Sequence, residues 1–233
     1  MERDTYCGMQ TINVLGVTLR SYSLKEALIQ TDSFLKNGAL NTIVNLSADM
    51  LVEAGKDEAY KEFLEEADMT VLDDKETRAA LGLSLKGHGQ EMETGIYFRE
   101  FIHRNVREHN SFYLLTETAE QLQYLKQEIA AVSPRVLYAG NHIYTVGEKL
   151  ENIMNDLNEA APSVILSVLP FEEQFRFMRE GRKYLNAEVW FAFQPEEILK
   201  KRHDTLTYRL RSKHSQRMLT KQLLQYEKTS TEV

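Results

Sequence analysis

The feature that most constrains this chain is an alternation of short apolar runs of strand length with capped helical patterns. The runs are Ile12 to Val17, Thr42 to Leu46, Met69 to Leu72, Phe112 to Leu115, Val136 to Tyr138, Val164 to Leu169 and Val189 to Phe193. Most are continuous rather than alternating, which is the pattern of strands buried on both faces of a parallel sheet. The intervening segments carry helix start signals. Ser23 to Glu26 reads as a capping box ahead of Ala27, Leu28, Thr31 and Leu35, with Gly38 where the helix would stop. Thr118 to Gln121 and Thr145 to Glu148 read as two more boxes. Strand, capped helix, strand predicts an α/β fold: a mostly parallel, Rossmann-like sheet flanked by helices on both faces. The expected core includes Ile12, Val14, Ile43, Val44, Val71, Leu114, Val164, Leu166 and Trp190.

Charge divides the chain unevenly. The 233 residues carry a formal charge of −7, yet Lys200 to Lys221 holds eight basic residues against one acid, Asp204. That predicts a domain over 1–199 and a basic helical C-terminal appendage over 200–233, with a mobile loop at 82–93 where Gly82, Gly87 and Gly89 fall. The basic segment is either an ordinary solvated helix face or a surface that meets anions. Met1 to Gln10 is polar and charged, and no run reaches the roughly 18 apolar residues of a spanning helix, so a soluble cytoplasmic protein is expected. Cys7 is the only cysteine and the six histidines show no paired spacing, so neither a disulfide nor a metal is expected.

In open α/β sheets, ligands gather beyond the carboxyl ends of the strands. The residues there are Asn45, Ser47 and Asp49; Asp73 and Asp74; Thr116 and Glu117; His142 and Tyr144; Glu172 to Gln174; and Gln194. The set is rich in carboxylates and poor in the glycines that let a backbone cradle a phosphate. Asp73 with Asp74 is the sharpest candidate for acid or base work, because paired carboxylates split their pKa values, although from the residues alone an N-cap for the helix beginning near Lys75 ranks ahead of catalysis. No P-loop, Gly-x-Gly-x-x-Gly or Gly-x-Ser-x-Gly motif occurs.

The order of these pieces resembles the WecG/TagA/CpsF family of bacterial glycosyltransferases. Ile12 to Val17 with Ser23 to Leu28 is similar to the family's start, and Val44 to Leu51 resembles its strand ending in Thr-x-Asn-Ala-Glu. Ala67 to Asp73 looks like the approach to its Pro-Asp-Gly. Phe112 to Leu115, His142 with Tyr144, and Gln174 fall where the family has Phe-Leu-Leu-Gly-Gly, His-His-Gly-Tyr and Lys-Gln-Glu-Lys. The resemblance implies transfer of an N-acetylmannosamine-type sugar from a UDP donor to a lipid-linked acceptor, with no metal or other cofactor. It implies Asp73 as catalytic base, and Asn45, Ser47, His142, Tyr144 and Gln174 as substrate-binding residues. It also implies that the tail helps hold the protein, through Lys200 to Lys221, at the anionic inner face of the cell membrane.

This chain departs from the family's pattern at the chemistry. Asn45 and Ser47 stand where the family has threonine and asparagine, and Asp74 replaces the glycine after the aspartate. The family's Arg-Val-Ala-Gly-x-Asp is reduced to Gly95, with Tyr97 near the acidic position. Thr116-Glu117 and Phe193-Gln194 replace two glycine pairs, and Phe175 replaces the glutamate after Gln174. Two readings result. One is a divergent member, a pseudoenzyme of surface-polysaccharide synthesis with an impaired or lost nucleotide-sugar site. The other is an active inverting transferase with Asp73 as general base. Nucleic acid is not an expected partner under either, and homo-oligomerisation is compatible with both.

Overall fold

The computed structural model describes residues 10–72, 75–81, 95–194, 214 and 216–226. Asp73, Asp74, the 82–93 loop, the 199/200 boundary and most of the basic tail therefore lie outside the described residues.

Six strands form one parallel sheet: β3 (Asn41–Asn45), β4 (Met69–Val71), β5 (Ser111–Thr116), β6 (Leu137–Ile143), β7 (Val164–Val168) and β8 (Val189–Phe193), in the spatial order β4-β3-β8-β7-β5-β6. Every pairing within it is parallel. The helices lie on both faces, as the alternation predicts. Along β7, Val164, Leu166 and Val168 point to one core while Ile165 points to the other, the two-residue period of a strand covered on both sides. The first core packs α1 (Leu24–Phe34), α5 (Ile96–Arg107) and α6 (Ala119–Val132) against Ile43, Phe112, Leu114 and Phe191. The second packs α2 (Ala48–Ala54), α3 (Glu58–Glu66), α7 (Leu150–Ala160) and α8 (Phe171–Arg176) against Val44, Leu115 and Trp190. A single turn of π-helix, Phe177–Gly181, and one of 3-10 helix, Arg182–Tyr184, follow α8.

The start of the chain differs from the expectation of a single sheet. Ile12 to Val17 is a hairpin: β1 (Gln10–Val14) pairs antiparallel with β2 (Val17–Ser21) in a separate two-stranded sheet. The break comes at Leu15-Gly16, where φ is +53° and +86°. Two successive positive φ values make the tight turn whose twist suits a two-residue hairpin, and Asn13 steadies it by accepting a hydrogen bond from the Gly16 N–H at 3.1 Å. Val14 is buried in the second core, and Ile12 is only partly buried against it. The other expected core residues are all buried.

Two of the three capping boxes form as read. Ser23 accepts from the Glu26 N–H at 3.2 Å while Glu26 accepts from the Ser23 N–H at 2.8 Å, and Thr118 with Gln121 does the same at 3.2 and 3.0 Å. The third does not cap a helix, since α7 begins only at Leu150, with Lys149 as an N-cap that offers no side-chain bond. The Glu148 carboxylate still accepts from the Thr145 N–H at 3.3 Å, but it is also engaged by His142 at 2.9 Å. The segment closes a turn against β6 and the helix starts after it.

The helix over 216–226 packs on the domain. Leu219 is fully buried in the second core, Met218 and Leu223 lie against it, and the Tyr226 hydroxyl comes near Gly16 of the hairpin turn. Arg217 and Lys221 face solvent. The apolar stripe of this part of the tail is thus occupied by the chain's own core. Among the described residues no helix is long and apolar enough to cross a membrane.

Candidate functional site

The strand order locates the site. After β5 the chain runs through α6 outward to β6, whereas after β7 it runs through α8 the other way to β8. Neighbouring strands whose connections leave in opposite directions make a crevice at their carboxyl ends, where ligands of open α/β sheets collect. Here that switch point lies between β5 and β7.

Its floor is built by Gln174, on the first turns of α8. The side chain is completely buried and saturated: its oxygen accepts from Ser167 Oγ at 2.8 Å and from the Trp190 indole N–H at 3.1 Å. Its amide donates to the carbonyls of Ser167 and Phe193, both at 3.1 Å. All four bonds an amide side chain readily makes are formed, so Gln174 ties the ends of β7 and β8 together beside the switch point.

Above it stands a polar cluster. Tyr144, just past β6, is buried, its N–H donating to the Thr116 carbonyl at 2.7 Å. Arg176 Nη2 reaches the Tyr144 hydroxyl at 3.3 Å and the Glu173 carboxylate at 2.8 Å. Burial holds the Tyr144 hydroxyl above its ordinary pKa, reinforced by the hydrogen bond and charge of Glu173 and opposed by Arg176. The phenol therefore stays protonated at neutral pH, a hydrogen-bonding group and not a base. Sequence reasoning missed Arg176 and treated Glu173 only as one acid in a run. The available signal was spacing, since residues 173 and 176 lie one helical turn apart on α8 and share a face.

The third component is the start of α6. Thr116 is buried, and its hydroxyl donates to the Thr118 carbonyl at 3.1 Å. The Glu117 N–H points to the Val168 carbonyl at 3.2 Å and to Gln121 Oε1 at 3.0 Å, and the Thr118 N–H shares that same oxygen at 3.0 Å. The N–H groups of Glu117 and Thr118, at the junction of β5 and α6, are thus engaged by the chain's own side chain and strand end, and the Gln121 N–H is taken by the N-cap hydroxyl of Thr118 at 3.2 Å.

The remaining candidates are dispersed across the sheet. Asn45 ends β3 beside Val71 of β4, and Ser47 is buried as the N-cap of α2, accepting from the Met50 N–H at 3.3 Å. His142 does not follow its strand as expected. It lies within β6, which runs on to Ile143, and it pairs with Leu115 of β5. Its ring sits between Glu148, 2.9 Å from Nε2, and Asp156, 3.6 Å from Nδ1. Burial pushes the Glu148 carboxyl up, but the bonds from His142 and the Thr145 N–H outweigh it and hold the pKa below the usual value. At a strand spacing of about 4.8 Å, β3 and β6 stand about 19 Å apart, four places along the sheet. Asn45 with Ser47 thus stands toward one side of the sheet's carboxyl end and His142 with Tyr144 at the β6 edge on the other, with Gln174 between them at the ends of β7 and β8. Tyr97, near the family's acidic position, is a core residue whose hydroxyl bonds Thr31 Oγ1 at 2.7 Å.

An open six-stranded parallel sheet flanked by helices, with its switch point between β5 and β7, is a Rossmann-like α/β domain. The sequence of this domain, over residues 12–193, matches the Glycosyl transferase WecG/TagA/CpsF family, and the chain belongs to that family. No curated protein sequence matches it significantly.

Proposed function

We propose that this chain is a divergent glycosyltransferase-like protein of bacterial surface-polysaccharide synthesis whose nucleotide-sugar site is impaired or lost. The observation that carries this reading is the start of α6. Where the family resemblance implies a glycine pair, the N–H groups of Glu117 and Thr118 are bonded internally, and half-buried Glu117 adds a carboxylate directly after β5. A pyrophosphate brought there meets a like charge on a half-buried residue and finds the N–H groups of Glu117 and Thr118 taken. The second glycine position is filled by Phe193, a buried β8 residue whose carbonyl is held by Gln174.

Calorimetry with UDP and a UDP-N-acetylhexosamine tests the reading. The expected result is no binding by the natural sequence and measurable binding by the Glu117→Gly/Gln121→Ala variant, which frees the Thr118 N–H, leaves the N–H at 117 with the Val168 carbonyl alone and removes the charge. Micromolar donor binding by the natural sequence, with transfer lost in Asp73→Asn, would instead establish the active inverting enzyme with Asp73 as base.

The same proposal assigns the basic segment Lys200 to Lys221 to an anionic membrane surface, each cation contributing about 1 kcal/mol near such headgroups. Since Leu219 is part of the core, this attachment works by charge and without insertion of that stripe. Flotation with anionic vesicles should be salt-sensitive and should fall when Lys200, Lys201, Arg202 and Arg209 are changed to glutamine. Equal flotation of both proteins removes the membrane role.

A further inference from the structure

The sheet ends on β6, and among the described residues no strand pairs with its outer side. Leu137, Tyr138 and Ile143 on the strand and Val146 in the turn after it are 50%, 42%, 41% and 78% exposed, half of all the exposed large hydrophobic residues among those described. The segment Leu137–Ile143 contains no proline, lysine, arginine or carboxylate. Proteins guard exposed edges with such residues, with short strands or with a covering element, because unpaired N–H and C=O groups in a row are a template for another strand. Among the described residues one such device is present, a register shift opposite Phe112 and Tyr113. It coincides with the close packing of the Tyr113 ring over Gly140, where a Cβ would come within 2.6 Å of the ring.

We propose that β6 is a homodimer interface, in which the edge strands of two copies of this chain pair antiparallel about a two-fold axis and join their sheets into one of twelve strands. The charges favour a second copy as the occupant. Exposed Arg135 precedes the strand, and the carboxylates of Glu148 and Asp156 flank His142 near its other end. Antiparallel self-pairing sets the basic end of each copy beside the acidic end of the other, twice, through one isologous contact. The strand between them is uncharged apart from His142, whose ring already has its acidic partners within the chain, so no like charges are driven face to face. Exposed Tyr138 and Ile143 supply apolar area of the kind that sits at the centre of such contacts. The inference does not depend on whether the sugar site is active.

Sedimentation equilibrium on the full chain is the test, paired with amide hydrogen exchange at two concentrations. The natural sequence should be dimeric at about 0.1 mM and dissociate on dilution, and exchange across 137–143 should slow as the dimer forms. A Leu137→Lys/Ile143→Lys variant should keep the thermal midpoint of the isolated chain and weaken self-association at least tenfold. A monomer at every concentration overturns the proposal. So does a dimer that the lysines leave intact or whose exchange at 137–143 is independent of concentration.

Discussion

The sheet has two edges, and the chain treats them in opposite ways. On one side β4 is three residues long, with Met69, Thr70 and Val71 all buried. The β1–β2 hairpin lies beside it, and Val17 and Leu19 of β2 are themselves buried. Asp68, just before β4, anchors its entry: the carboxylate accepts from the Thr42 N–H at 2.7 Å, from Thr42 Oγ1 at 2.9 Å and from Arg182 at 2.7 and 2.8 Å. On the other side β6 is seven residues long, largely exposed, and tied near its end by the contacts of His142 with Glu148 and Asp156. Both edges must satisfy the same backbone groups. The first does so within the chain by shortness and cover, whereas the second leaves that task to water or to another chain.

The sharpest way to break the contrast is to place a charge on each edge. Val71→Lys should cost about 4 kcal/mol in urea unfolding, because an ammonium group is buried without a partner. Ile143→Lys should change the stability of the monomer by less than about 0.5 kcal/mol. Equal losses would mean that β6 is as well covered as β4. Next in size, Asp68→Ala removes the carboxylate partner of Arg182 Nη2 and the acceptor of both Thr42 donors and should cost about 2 to 3 kcal/mol, read from the same unfolding curves. Gly140→Ala probes the one tightly packed point of β6. Its Cβ meets the buried Tyr113 ring, so the ring must shift, at a cost of about 1 to 2 kcal/mol.

The smallest effect is a pH dependence at the exposed edge. The Glu148 pKa is depressed in the fold, so the unfolded chain binds the proton more readily. Its contribution to stability is present above the ordinary carboxyl value of 4.5 and is lost as pH falls through the folded pKa below it. Stability of the natural sequence should therefore fall more steeply than that of Glu148→Gln as the pH is lowered from 5 to 3. Parallel curves would show that the His142 contact does not stabilise the charged carboxylate.

Much of the fold was legible along the chain because its signals are local. Each continuous apolar run from Thr42 onward contributes a strand of the sheet, and the Ser23 and Thr118 caps form within four residues of themselves. The candidate site was legible in part. Asn45, Ser47, Tyr144 and Gln174 do lie toward the carboxyl end of the sheet, yet nothing in the spacing of Gln174 distinguished a ligand donor from an amide saturated by Ser167, Trp190 and Phe193. Those partners lie 7, 16 and 19 residues away and come together only when β7 and β8 pair.

What the sequence determined by itself, then, is the set of elements and the class of sheet they build, since periodicity and caps depend on neighbours a turn or a pleat apart. The tertiary structure decided which strand stands at an edge, where the chain reverses at the switch point, and which polar side chains are consumed inside. Continuous apolar runs in β5 and β7 read much like the short β4 at the opposite rim, because strand order is set by long-range pairing that leaves no local mark. Leu15-Gly16 shows the same limit on a small scale. An apolar run with one glycine reads as a single strand, and only the packing of Val14 and Val17 on the common core folds it into a hairpin.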